Sequence, residues 1–185
     1  METAGIKLYT IGHSNHLLDK FVRLLQANGI QALVDVRSSP YSKFNPQFNQ
    51  DPFSKALSAV QIAYIYAGRQ LGGRPSDPTC YKSHEVHEAA VDYLHEVNYP
   101  EVMKRDWFRS GISRLLEIAV DKPACIMCSE EDPAHCHRHH LISKYILQNF
   151  PEVEIWHIRG DGNLVKASQI HASVEDDEGE QMSLF

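Results

Sequence analysis

The sequence predicts an α/β fold: a single three-layer, Rossmann-like domain with a mostly parallel sheet of about five strands, followed by a disordered acidic tail. Three observations predict it. Short β-branched runs alternate along the chain with amphipathic helical stretches, the pattern of βαβ units. A chain of 185 residues fits one domain of the usual roughly 100–200 residues. From Glu175 onward five acids occur without a base, in a segment too poor in apolar residues to join a core. The expected boundaries are 1–167 for the domain and 168–185 for the tail.

The elements follow in order. Ile6–Ile11 reads as a first strand. Ser14 or Asn15 is placed to cap a helix with Leu17, Leu18, Phe21, Leu24 and Leu25 on one face, ended by Gly29. Ala32–Val36 is continuously apolar up to Asp35, as a buried parallel strand would be. A loop from Pro40 to Pro52 leads to a short helix around Phe53–Ala59, and Ile62–Tyr66 is a third strand. Glycines and prolines over 68–82 mark a loop, with helices expected around 84–97 and 100–120. Ala124–Cys128 is a fourth strand, His135–Phe150 a helix and Val153–Ile158 a fifth strand. Gly160-Asp161-Gly162 turns into a short final strand at Leu164–Ala167.

Composition excludes several classes. Hydrophobic content of 43% and charged content of 23% are those of an ordinary globular domain, not of a disordered or fibrous chain. No run of 18 apolar residues occurs, and the first residues lack the basic, apolar and small-residue order of a signal peptide. Cys125, Cys128 and Cys136 crowd together and Cys80 stands apart, unlike a secreted disulfide framework. A cytoplasmic protein without a membrane partner is expected. Removing the five tail acids from the formal charge of −6 leaves −1 for residues 1–174. The near-neutral body leaves room for a local basic patch.

Chemistry gathers after the strands. His13 and Ser14 follow the first, Asp35 and Arg37 close the second, Arg74 lies beyond the third, and Cys128 and Glu130 end the fourth. In an open parallel sheet these positions share the carboxyl edge, where ligands bind. Asp132 and Pro133 read as N-cap and first residue of a helix, placing Cys136, His137 and Arg138 in its opening turns. There a cysteine gains acidity and backbone N–H groups with an arginine suit a phosphate.

A zinc site is weighed and not favoured. Strand alternation turns Cys125 to the face opposite Cys128, and no second Cys-x-x-Cys follows. Cys128 and Cys136 with a histidine are the minor metal option. Magnesium has little support, because Asp35 and Glu130 are the carboxylates available. No cofactor is expected. His139 and His140 are read as solvated helix residues.

Arg37, Lys43, Arg69, Arg74 and Arg138 are interleaved with Tyr41, Phe44, Phe48, Tyr64 and Tyr66. Arginines for phosphate and aromatics for bases suit a nucleotide or single-stranded nucleic acid. Tyr64 is assigned to the third strand's packing instead.

Taken in order, Thr10-Ile11-Gly12-His13-Ser14, Val34-Asp35-Val36-Arg37-Ser38-x-Pro40-x-Ser42, Leu71-Gly72-Gly73-Arg74-Pro75, Cys128-x-Glu130-x5-Cys136-His137-Arg138 and His157-Ile158 resemble domain-of-unknown-function family 488 over about residues 6–167. The resemblance implies a small α/β protein with an enzymatic site of unassigned reaction. It draws attention to His13, Asp35, Arg37, Arg74, Cys128, Glu130, Cys136, His137 and Arg138. The last residues, Gln181-Met182-Ser183-Leu184-Phe185, resemble the bacterial sliding-clamp binding peptide, in which Leu-Phe enters an apolar pocket and glutamine bonds at its rim.

The expectation is therefore an enzyme of DNA maintenance, brought to DNA by the clamp and acting on a nucleotide unit or base, with hydrolysis of a glycosidic or phosphodiester bond favoured. Cys128, Glu130, Cys136, His13 and Asp35 are the catalytic candidates, Asp35 by orienting Arg37. Arg37, Arg74, Arg138, His137 and Ser14 are the substrate or phosphate candidates. Gln181, Met182, Leu184 and Phe185 are the partner contacts. The alternatives are a non-catalytic nucleotide-binding module and a cysteine-based sulfur-transfer or redox enzyme.

Overall fold

The computed structural model describes residues 5–86 and 92–170. The tail and its terminal peptide, Gln181, Met182, Leu184 and Phe185 included, lie outside the described residues.

The strands are β1 (Ile6–Gly12), β2 (Ala32–Asp35), β3 (Ala63–Tyr66), β4 (Ala124–Cys128), β5 (Val153–Ile158) and β6 (Leu164–Lys166). They form one sheet in the order β3-β2-β4-β1-β5-β6, parallel except for the β5–β6 pair. The expected parallel α/β layout is present, with six strands counting the short last one.

The strand order dictates which face each helix covers. From β1 to β2 to β3 the chain moves one way across the sheet; from β3 to β4 and from β4 to β5 it moves the other way. Right-handed crossovers then put the helices of the two directions on opposite faces. Accordingly α1 (Leu18–Ala27) and α2 (Gln50–Ala59) bury Phe21, Leu25, Phe53 and Leu57 against Leu33, Cys125 and Met127. On the other face α6 (Asp106–Asp121) and α7 (Lys144–Asn149) pack Phe108, Ile112, Leu115 and Ile146 with Val34, Ile126 and Ile155. Alternation is respected: Cys125 lies in one core and Cys128 in the other. The direction reverses where β4 lies between β1 and β2, so the loops after these strands diverge and leave a crevice at the carboxyl edge.

Several boundaries differ from expectation. Neither Ser14 nor Asn15 caps α1; Leu17 holds the N-cap position and is 77% exposed rather than on the apolar face. Gly29, at φ 65°, follows the helix end. Among the described residues between β3 and α6 the chain forms three one-turn α-helices, α3 (Gly68–Leu71), α4 (Tyr93–Glu96) and α5 (Tyr99–Val102), where a plain loop and two long helices are expected. Capping side chains open two of these turns: Asp92 accepts from Leu94 N and Asn98 from Glu101 N.

The helix expected over His135–Phe150 is divided. Asp132 caps as expected, accepting from Ala134 N at 3.1 Å, yet the turn it starts ends after Pro133–His135. Cys136 is extended, with φ −139° and ψ 141°, and Arg138–Ser143 form a π-helical segment before α7. Ser143 Oγ donates to Arg138 O at 2.7 Å, tying the two ends of this wide turn together.

Candidate functional site

The crevice at the carboxyl edge is a cavity of about 260 Å³. Arg37 and Tyr41 reach it from the segment after β2, Gly73 and Arg74 from beyond α3, and Tyr93 from α4. Cys128 and Glu130 come from the end of β4, and His137 closes its floor. Five of the sequence candidates (Arg37, Arg74, Cys128, Glu130 and His137) are thus brought together. Another cavity, of about 250 Å³, lies between β3 and α6 and is lined mainly by apolar residues. It collects none of the carboxyl-edge groups.

Two glycines permit this assembly. A Cβ on Gly12 would stand 1.8 Å from Glu130 O, so the loop after β4 crosses the end of β1 only because nothing projects there. A Cβ on Gly73 would stand 2.7 Å from the His137 ring, which lets the Gly73-Arg74 backbone lie flat against the imidazole. Ser38 Oγ accepts from Arg74 N at 3.0 Å and fixes that segment. The Arg74 guanidinium, exposed to solvent, stacks over the Tyr93 ring at 4.8 Å.

Arg37 is locked from below. Its Nε and Nη2 donate to Asp35, the Nη2–Oδ2 distance being 2.6 Å, and Nη2 also donates to Phe48 O at 2.8 Å. Asp35 is fully buried and also accepts from Arg37 N at 3.0 Å and Tyr64 Oη at 2.7 Å. Its lone pairs are therefore engaged. Asp35 is thereby placed to orient Arg37, with no oxygen lone pair left facing the cavity for a reacting group or magnesium. The Tyr64 hydroxyl, assigned to packing alone, belongs to the same pair.

His13 is corrected for a similar reason. It is buried, stacked on Phe48 at a centroid distance of 4.5 Å, and does not line the cavity. Nδ1–H donates to Ser14 O at 2.8 Å, leaving Nε2 to accept from Arg37 Nη1 at 3.3 Å. Burial, with the adjacent Arg37 charge, pushes its pKa down to about 4, against the rise that the Ser14 carbonyl bond would give. A neutral ring with both nitrogens engaged orients Arg37 and leaves no site for proton exchange with substrate. Ser14 lies outside the cavity too, at φ 46°, its backbone N–H bonded to Ser129 O at 2.8 Å.

Arg138 carries the largest correction. Its side chain is fully buried. Nη1 donates to Glu130 O, Nη2 to Glu131 O at 2.5 Å, and Nε to Thr10 Oγ1 at 3.2 Å. Rather than holding a phosphate, the guanidinium gathers the loop that presents Glu130. A relay continues inward: Thr10 Oγ1 donates to His157 Nδ1 at 2.7 Å, and His157 Nε2–H donates to His139 Nδ1 at 3.2 Å. Burial and the Arg138 charge push His157 down to about 3, and burial first of all pushes His139 down to about 4. His139 and His140 are therefore not solvated surface residues; His140 Nε2 bonds Ala134 O at 2.6 Å.

At the cavity floor the thiols meet. His137 Nε2–H donates to Val36 O at 3.1 Å, which leaves the Nδ1 lone pair facing Cys128 Sγ at 3.6 Å and Cys136 Sγ at 3.8 Å. Cys128 opens to the cavity; Cys136 is fully buried behind it, in an extended residue rather than at a helix start. Burial alone would raise Cys136, but the Cys128 S–H bond and the Arg138 charge outweigh it and hold its pKa below the usual thiol value. Cys128, as the donor of that bond and buried, is pushed up. The Glu130 carboxylate is exposed, with no hydrogen bond or ion pair among the described residues. Neighbouring Glu131 is pinned, its carboxylate bonded to Arg159 Nη2 at 2.7 Å and Gly160 N at 3.0 Å.

Sequence reasoning missed Tyr93, which it placed inside a long helix; the Asp92 cap before it was the available signal. It also missed the buried polar relay. Thr10 and His157 are cross-strand partners in otherwise apolar strands, and that coincidence marks it.

No curated protein and no solved structure matches the chain. A family model does: it spans residues 17–145, from the start of α1 into α7, a shorter stretch than the resemblance over 6–167. The motif order that builds the cleft and this match agree, and the chain belongs to the family of the domain of unknown function DUF488.

Proposed function

We propose that this protein is an enzyme of DNA maintenance that acts on a nucleotide unit or base in the carboxyl-edge cleft, by hydrolysis, and is recruited by the bacterial sliding clamp through Gln181–Phe185. The observation that carries the reading is the company kept in one cavity. An arginine stacked on a tyrosine and a carboxylate, neither side chain in an ion pair among the described residues, share its walls with a thiol–imidazole corner. Arg74 supplies the charge for a phosphate, since Arg37 is already neutralised by Asp35. Tyr41 and Phe44, 66% and 93% exposed on the segment after β2, offer faces on which bases stack. Glu130 is the group free to exchange a proton with the reacting bond.

The test is binding and turnover by the full chain with single-stranded and damaged oligonucleotides. Arg74→Ala is expected to weaken binding about tenfold. Glu130→Gln is expected to bind normally and turn nothing over. Equal turnover by Glu130→Gln sinks the reading. Clamp binding lost by a chain ending at Glu180 supports recruitment; binding by neither form removes it.

The short approach of Cys128 to Cys136 favours one second reading, a thiol-based sulfur-transfer or redox enzyme. It requires a persulfide or a Cys128–Cys136 disulfide after mild oxidation.

A further inference from the structure

We infer that Cys128 Sγ, Cys136 Sγ and His137 Nδ1 form a zinc site whose fourth position opens into the cleft. The inference rests on the hydrolytic reading above and names the agent of the hydrolysis.

Geometry comes first. Zinc bound by thiolates at about 2.3 Å and imidazole at about 2.0–2.1 Å in a tetrahedron separates sulfur from nitrogen by about 3.6 Å and sulfur from sulfur by about 3.8 Å. The two sulfur–nitrogen distances here are 3.6 Å and 3.8 Å, and the three ligand atoms lie within 4.8 Å of one another. Both sulfur–nitrogen edges thus have the spacing of a tetrahedral zinc face, and the third edge is no longer than 4.8 Å.

The surroundings agree. A ligating histidine almost always gives its other N–H to a carbonyl or carboxylate, which fixes the tautomer and aims the lone pair at the metal. His137 does this through Val36 O at 3.1 Å. The ligands come from rigid elements, the last residue of a central strand and the segment leading into the π-helical turn. Three protein ligands with an open fourth place describe a catalytic rather than a structural zinc. Cys128 and His137 line the cavity while Cys136 lies behind them, so the open place faces the cleft.

Glu130 completes the arrangement. One histidine, two cysteines and a glutamate that is not a ligand are the set with which zinc hydrolases of nucleobases activate water. The same chemistry suits a C–N bond of a base or nucleoside here. Water at the fourth position loses a proton to Glu130, and the resulting hydroxide forms the new C–O bond. Glu130 then returns the proton to the leaving nitrogen as the C–N bond breaks. Atoms and charge balance without a further reactant.

The experiment is metal analysis of the full chain purified without chelator, followed by replacement with cobalt. One zinc per chain is expected, lost in Cys136→Ser and His137→Asn and kept in Cys80→Ser, whose thiol lies outside the cluster. Cobalt in the unsubstituted chain is expected to show thiolate-to-metal charge transfer and the visible bands of a four-coordinate centre, a readout that does not depend on whether a variant folds. A chain that takes up neither metal, or cobalt without the charge-transfer band, overturns the site, as does zinc kept by both ligand variants. Zinc bound in a protein that neither binds nor hydrolyses nucleotides keeps the site and removes the functional reading. Nucleotide turnover by a chain that binds no metal does the reverse.

Discussion

Asp35 and Arg37, two residues apart, face each other as a buried ion pair at 2.6 Å, with the carboxylate fully buried and the guanidinium 3% exposed. The intervening Val36 sends its carbonyl to His137, so one tripeptide at the end of β2 fixes both a cleft arginine and the imidazole of the thiol corner. Removing one partner strands the other charge. Asp35→Asn is expected to destabilise the fold by about 3–5 kcal/mol in urea unfolding. A chain carrying both Asp35→Leu and Arg37→Met is expected to regain most of that loss. Equal losses in the single and double variants would show that the pair contributes nothing as a pair.

Gly12 is the position where a side chain does most harm for its size. Gly12→Ala places a methyl group 1.8 Å from Glu130 O, against backbone that Arg138 already holds. A loss of about 1–3 kcal/mol is expected, the usual cost of overpacking. Thermal unfolding measures it, and an unchanged midpoint would mean that the loop after β4 is not seated over β1.

The buried relay makes stability depend on pH. His157 titrates near 6.5 when unfolded and is held down at about 3 when folded. Between these values the unfolded chain binds a proton that the folded chain refuses, so stability rises with pH and is lost as pH falls below 6.5. The slope is about 1.4 kcal/mol per pH unit from this residue. Urea unfolding from pH 7 to pH 5 is expected to show it, and His157→Gln is expected to flatten the slope by one proton. An unchanged slope in that variant would place the effect elsewhere.

Exposed aromatics near the cleft give a prediction free of folding effects. Tyr41→Ala and Phe44→Ala are each expected to weaken single-stranded oligonucleotide binding by about 1–3 kcal/mol, the usual worth of a stacked base. Stability should stay within about 0.5 kcal/mol, since both side chains face solvent. Fluorescence anisotropy measures the first and denaturation the second.

The strands and the site's outline were legible because a buried parallel strand is a continuous apolar run whose end is marked by its first polar residues. Ala124–Cys128 and Val153–Ile158 were read to the residue on that basis. The same polar residues, carried to one edge by parallel order, gave the five members of the cleft. What stayed illegible depends on packing between distant segments. Nothing local says that Arg138 is buried, because its partners are carbonyls seven and eight residues back and a threonine of β1. His139 looks like a surface residue until β5 brings His157 beside it. The π-helical segment has the apolar spacing of an α-helix nearby, and periodicity does not report which carbonyl a backbone N–H selects. Asp35 and His13 stand at the correct edge but point into the fold, a difference of side-chain direction that position along a strand leaves open.

The placement of β4 between β1 and β2 has a consequence for how the cleft comes into being. During synthesis the first two strands emerge with a gap between them that stays empty until Ala124–Cys128 arrives. Every hydrogen bond that β4 makes to its two neighbours therefore spans about ninety residues or more of chain, and such non-local pairing slows folding relative to local hairpins or helices. The same insertion that joins the halves of the sheet delivers Cys128 to the crevice. The thiol–imidazole corner therefore needs a segment made late, and a ribosome-bound chain that stops short of β4 carries Arg37 and Arg74 without Cys128 beside them.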